Sequence, residues 1–218
     1  RVRISGVDAT DEQLCRAFEK INEARGEIPL TYFEFGTLAA LVVFAETVPD
    51  LVLLEVGLGG RLDAVNIIDA DISVVTTVSI DHVDWLGDDR EVIGREKAGI
   101  FRSGRYAVCG DLKPPVSVRA FADEIKANLL QAEREFTFQT EENSWAWQGK
   151  SASGSDVSIE NLAMPTLPLQ NASTAIQVAQ LIPLEVSNDH INKGVATASL
   201  TGRMQRIEQQ GLTYWLDV

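Results

Sequence analysis

Cysteine and histidine are both scarce, with two of each in 218 residues. Cys15 and Cys109 stand far apart and form neither a metal-binding nor a disulfide pattern, so they read as two buried free thiols of a reducing compartment. Imidazole chemistry is confined to His82 and His190. Basic residues are few as well: 19 Lys and Arg face 32 Asp and Glu, a formal net charge of -13. That excludes a general nucleic-acid or anionic-membrane surface, since both need a basic field. Anionic small molecules stay open, because local groups and metal ions capture them whatever the global sign. No apolar run approaches the roughly 20 residues of a membrane helix, and the longest is broken by Glu46 and Pro49. The opening Arg1-Val2-Arg3-Ile4 reads as a strand rather than as a charged leader. A cytoplasmic protein is expected.

What is present is ordinary globular composition, 45% hydrophobic and 23% charged, enough for a real core. The chain alternates between helical and strand periods. Helices are expected over 10–25, 31–46, 88–101, 116–132, 171–181 and 187–199. The second is apolar on most sides and reads as buried. Short apolar runs at 51–56, 72–78 and 105–109 carry the signature of buried parallel strands. Residues 136–139 and 145–148 alternate around turn formers, with a Ser/Gly-rich turn at 150–156, and suggest a small antiparallel ribbon. The chain closes on a strand-like run, 213–218. The fold class expected is α/β: a mainly parallel sheet flanked by helices, with the ribbon attached, as one domain over 1–218. In such folds ligands sit at the carboxyl ends of the strands.

Chemistry concentrates there. The run 51–56 leads into Gly57-Leu58-Gly59-Gly60-Arg61-Leu62-Asp63, whose glycines let backbone approach an anion closely. The spacing is not a dinucleotide fingerprint. Glu55 ends an otherwise apolar strand, where a carboxylate needs a cation: either a nearby Arg or a hard metal such as Mg2+. The next strand ends in Ser79-Ile80-Asp81-His82. His82 is either structural or, at the same rim as Glu55, a partner in holding a divalent metal. Lys97 shares a helical face with Ile93, Ile100 and Phe101 and is either a snorkelling lysine or one with a task in the site. Thr31-Tyr32-Phe33-Glu34 fits a capping box, and its two aromatics could stack on a flat ring. Asn171 fits an N-cap. Arg203 has no local explanation.

Long strings in this chain resemble a known family. Leu54-Glu55-Val56-Gly57-Leu58-Gly59-Gly60-Arg61-Leu62-Asp63, Asp81-His82, Asp84-Trp85-Leu86-Gly87, Arg95-Glu96-Lys97-Ala98-Gly99-Ile100 and Thr31-Tyr32-Phe33-Glu34-Phe35-Gly36-Thr37 are similar, in order, to bacterial dihydrofolate synthase/folylpolyglutamate synthase, of the wider Mur ligase superfamily. The resemblance implies the central, P-loop NTPase-like domain of an ATP-dependent ligase. Such an enzyme joins L-glutamate to dihydropteroate or to folates through an acyl phosphate. It also implies Mg2+ held by Glu55 and His82, and Lys97 as a carbamylated lysine. Thr31 to Glu34 with Leu62, Asp63 and Ala64 would line the pterin-bearing substrate, and Asn171, Arg203 and Asp217 would contact ATP.

The chain departs from the family pattern in two places. It contains no Gly-x-x-x-x-Gly-Lys-Ser/Thr P-loop, and it stops at Leu216-Asp217-Val218 where the family continues through Ala-His-Asn-Pro into a glutamate-binding domain. The expectation is a central-domain piece lacking the P-loop portion and that last domain. It should have little or no ligase activity by itself and be prone to self-association through exposed sheet edge, while its parent is monomeric. Three rivals are a folate- or nucleotide-binding module without catalysis, a metal-dependent hydrolase built on Glu55 and His82, and a scaffold with an empty site.

Overall fold

The computed structural model describes all residues except Arg1, His82, Met204 and Val218, together with the side chains of Val83 and Asp84. The chain forms two compact units, Arg1–Ile68 and Asp69–Val218. Among the described residues, no helix is long and apolar enough to cross a membrane.

The first unit opens on a small antiparallel hairpin, β1 (Arg3–Ile4) and β2 (Val7–Asp8). Helix α1 (Asp11–Arg25) follows, started by a Thr10–Gln13 capping box. Helix α2 (Tyr32–Thr47) is started by Thr31 and Glu34 in the same way. The two helices pack through Ala17, Ile21, Ala39 and Val43, and Phe18 tilts against Phe35 at 5.5 Å between ring centres. Full burial of α2, expected from its composition, is not found: only Ala39 and Val43 are buried, in the cluster shared with α1. Cys15, expected inside, is exposed on α1.

The largest correction is at 51–56. This run is not a strand and belongs to no sheet. Its apolar residues favour a strand, but a strand exists only through its ladder, and no described strand pairs with it. Leu51, Val52 and Leu53 are exposed instead. Beyond the glycine loop, Ala64–Ile67 forms one turn of 3-10 helix.

The second unit holds the parallel sheet. Its strands are β3 (Ile72–Val75), β4 (Tyr106–Cys109) and β5 (Asn128–Gln131), in that order and in register, so that Val75 faces Cys109 and Cys109 faces Gln131. Between them lie α3 (Val83–Leu86), α4 (Arg90–Ala98) and α5 (Val116–Ile125). The period-2 alternation divides the sheet between two cores. Val75, Ala107, Cys109 and Leu129 pack with Ile93, Ala98, Val118 and Ala122 of α4 and α5. Ile72, Val74, Tyr106, Val108 and Leu130 pack on the opposite side. Burial pushes the Cys109 thiol up to about 11.

Residues 116–132, expected as one helix, divide into α5 and β5. Lys126 takes a left-handed conformation (φ 58°) and caps α5 through the carbonyls of Ala122 and Asp123. The chain then extends so that Leu129 and Leu130 face opposite cores.

The antiparallel ribbon appears as three strands, β6 (Thr137–Thr140), β7 (Ser144–Lys150) and β8 (Asp156–Ala163). Trp145 and Trp147 of β7 are fully buried. Trp147 donates to the Ser173 carbonyl of α6 (Leu169–Ala179) at 3.1 Å, and Gln177 of α6 both accepts from the Lys150 amide and donates to its carbonyl. Helix α7 (Asn188–Thr197) completes this core with Ile191 and Val195. The chain ends in a hairpin, β9 (Gln205–Gln209) and β10 (Leu212–Leu216), turning at Gln210-Gly211 with both φ positive. Only its second strand was expected from the sequence.

Candidate functional site

In the first unit, two predicted substrate segments meet. Thr31 donates its amide to the Glu34 carboxylate at 2.7 Å, and the Glu34 amide returns to Thr31 Oγ1 at 3.2 Å. The Thr31 amide, and then its hydroxyl, hold the Glu34 carboxyl below its ordinary range. This box turns the chain into α2 and sets the two aromatics at its start. Phe33 lies against the glycine loop: a Cβ on Gly57 would come within 2.8 Å of the Phe33 ring. Tyr32 is 96% exposed and Leu62 78%.

The loop is closed by Asp63. One carboxylate oxygen accepts from the Gly57 and Leu58 amides at 3.0 and 3.1 Å, and the other caps the 3-10 turn through the Val65 amide at 2.9 Å. Asp63 therefore shapes the loop, while Leu62 stands out from it and Ala64 begins the turn. Glu55 precedes this loop with its side chain exposed. The burial cost that singled it out in the sequence is absent, and so is the alternative of a buried salt bridge.

In the second unit, Lys97 is half-buried on α4, beside the buried Ala98. Among the described residues, no carboxylate pairs with its ammonium. His82 lies outside the described residues. Asn171 is not the cap of α6. Pro168 holds that position, and Asn171 sits exposed in the first turn, its amide donating to the Pro168 carbonyl. Arg203 is exposed and bridges backbone-to-backbone with Leu200, and Asp217 is exposed just past β10. No hydrogen bond or ion pair joins Lys97, Asn171, Arg203 and Asp217 among the described residues. Nor do the described residues contain a group of three or more His, Cys, Asp and Glu that could hold a metal.

Sequence reasoning missed the strongest polar cluster at the carboxyl edge of the sheet. Asp111 follows β4 and is buried. It accepts from the Val78 amide at 2.7 Å and the Lys113 amide at 2.8 Å. Arg90, at the start of α4, donates to the Val78 carbonyl at 2.9 Å and the Lys113 carbonyl at 3.1 Å, and reaches Asp111 at 3.5 Å. Gln170 of α6 donates to Thr77 Oγ1 at 3.2 Å. The one available signal was an acidic residue one glycine beyond an apolar strand, in Val108-Cys109-Gly110-Asp111.

A two-faced parallel sheet with a polar cluster at its carboxyl edge, the edge where α/β proteins bind ligands, and a separate glycine loop closed by a carboxylate, define an α/β protein. No protein-family model matches the chain. It is 45% identical over 209 residues to dihydrofolate synthase/folylpolyglutamate synthase of Escherichia coli, covering 96% of this chain and 48% of that protein. The structure superposes on E. coli FolC in complex with DHPP and ADP with a TM-score of 0.92 at 44% identity, over 99% of this chain and 51% of the other. It also superposes on a bifunctional folylpolyglutamate synthase/dihydrofolate synthase with Mn, AMPPNP and L-glutamate bound, with a TM-score of 0.89 at 44% identity, over 99% of this chain and 51% of that one. The chain spans about half the length of the curated relatives it matches. The chain is homologous along nearly its whole length to about half of dihydrofolate synthase/folylpolyglutamate synthase.

Proposed function

We propose that the protein carrying this chain is an ATP-dependent ligase that joins L-glutamate to dihydropteroate, to folates, or to both. The observation that carries this reading is the identity to the E. coli synthase along nearly the whole chain. Relatives hold ADP, AMPPNP, Mn and L-glutamate, the co-substrate, metal and amino acid that such a reaction needs.

A carboxylate acylates poorly. Transfer of the ATP γ-phosphoryl group to it gives an acyl phosphate, and attack by the glutamate amino group forms the amide and releases phosphate. The transfer needs charge neutralised and oxygens aligned. Glu55 and His82 are assigned as ligands of a divalent cation. The exposed Glu55 carboxylate suits the part, since oxygen and imidazole donors match Mg2+ or Mn2+. When bound, the metal supplies positive charge to the phosphoryl oxygens. Lys97 is assigned as a carbamate: its amine takes up CO2, loses a proton, and presents an anionic oxygen pair in place of an ammonium. Half-burial, and the lack of a carboxylate partner among the described residues, favour that exchange.

Tyr32, Phe33 and Leu62 are assigned to the pterin, as apolar and aromatic surfaces for a flat ring. In this reading Thr31, Glu34, Asp63 and Ala64 hold those surfaces in place. Asn171, Arg203 and Asp217 are assigned to the nucleotide. The site is read as part of one central domain spanning 1–218.

In the full-length protein, ADP release should require a divalent metal, a pterin or folate acid and L-glutamate together. Glu55→Gln should lower kcat/KM by about 100-fold. ADP release that proceeds equally well without the acid and glutamate would sink the ligase reading in favour of hydrolysis.

A further inference from the structure

The backbone of Val78 is held on both sides. Its amide donates to Asp111 at 2.7 Å and its carbonyl accepts from Arg90 at 2.9 Å. The two side chains face each other at 3.5 Å, and both also hold the backbone of Lys113. The result is a closed ring: Val78, Asp111, Arg90. Thr77, one residue earlier, is tied to Gln170 of α6. Val78 itself is buried.

This ring stands on a tight floor. The Gly110 amide donates to the Val75 carbonyl at 2.8 Å, which extends the β3–β4 ladder by one step. A Cβ on Gly110 would meet Thr174 Oγ1 at 2.1 Å, so only glycine lets α6 lie against the end of β4. Asp111 is thus carried out of the sheet at a fixed place, between α4 and α6.

We propose that Asp111 and Arg90 are positioning residues that fix the segment 77–81 where it leaves β3 and runs on to His82. The proposal rests on the reading of His82 as a metal ligand. The chemistry of the pair is specific. A carboxylate offers acceptors to two amides and a guanidinium at once, whereas a carboxamide must turn its NH2 toward one of those donors. A guanidinium reaches the Val78 carbonyl and Asp111 from one plane, and a lysine ammonium lacks that fork. Every described partner of the ring is backbone or the ring itself, so its effect is on where the segment lies.

The test compares wild-type, Asp111→Asn and Arg90→Lys forms of the full-length protein by amide hydrogen exchange, Mn2+ titration and thermal melting. In both variants, exchange should quicken over 78–81 while the Trp145–Trp147 strand keeps its wild-type protection. Mn2+ affinity should fall by about 10-fold. Unchanged exchange at 78–81 overturns the proposal, as does a uniform acceleration across β3, β4 and β5, which marks a purely structural role. If Asp111→Asn fails to fold, Arg90→Lys carries the same readouts. A wild-type protein without affinity for Mn2+ overturns the metal reading, and exchange at 78–81 then decides the positioning role by itself.

Discussion

At Val48 the chain leaves α2 through a left-handed conformation, with φ at 47° and ψ at 60°. Its amide donates to the Phe44 carbonyl, which ends the helix in hydrogen-bonded order. A β-branched side chain is poorly suited to that region, where Cβ crowds the following carbonyl. The side chain is exposed and contributes little packing in return. Val48→Gly should therefore stabilise the protein by about 1 kcal/mol, less what glycine loses in backbone entropy. Chemical denaturation of the two forms measures it. No periodicity in the sequence marks Val48, because the strain comes from the helix stopping there and not from the residue type.

At the scale of elements, the Thr31–Glu34 box has a pH signature. Hydrogen bonds from Thr31 lower the Glu34 carboxyl. A lowered value means that the ionised form is favoured by folding. Its stabilisation is complete above the ordinary glutamate range and is lost as pH falls through the lowered value. Glu34→Gln keeps an acceptor at this position but does not titrate. The melting-temperature advantage of wild type over Glu34→Gln should be present at neutral pH and vanish in acid.

This box was legible because its parts lie three residues apart, as did the apolar cores of β3 and β4. Other features needed tertiary facts. Leu51 to Val56 has a strand's composition, but a ladder depends on a neighbour far along the chain. The reverse error at Leu129 and Leu130 has the same origin: an apolar pair next to a helix reads as more helix until Lys126 breaks it. For the site, family resemblance assigned Thr31 to Glu34 and Leu62 to Ala64 to one substrate, but nothing in the sequence paired Phe33 with Gly57. The Asp111 ring, joining residues 33 apart in sequence, has no local motif at all.

On the scale of the whole molecule, one exposed run stands out. Leu51, Val52 and Leu53 lie open in a segment that pairs with no described strand, with Leu53 87% exposed. Exposed apolar backbone without a ladder is a template for another chain. The 218-residue chain should self-associate at micromolar concentration, and Leu53→Lys should shift it toward monomer. Sedimentation velocity across a dilution series reads both, and a concentration-independent monomer would refute the expectation. The net charge of -13 opposes association, so the effect should grow with added salt.

The four indoles divide the molecule optically. Trp145 and Trp147 are sealed in the ribbon core, while Trp85 is 80% exposed and Trp215 62%. A soluble quencher such as acrylamide should silence the second pair and leave the first, whose emission then serves as an internal reference. With Trp215→Phe, the quenchable light comes from Trp85 alone, a few residues beyond His82. The chain therefore carries its own fluorophore on α3, three residues past His82 in sequence. Addition of Mn2+ or nucleotide can be followed there by quenching, with no label attached.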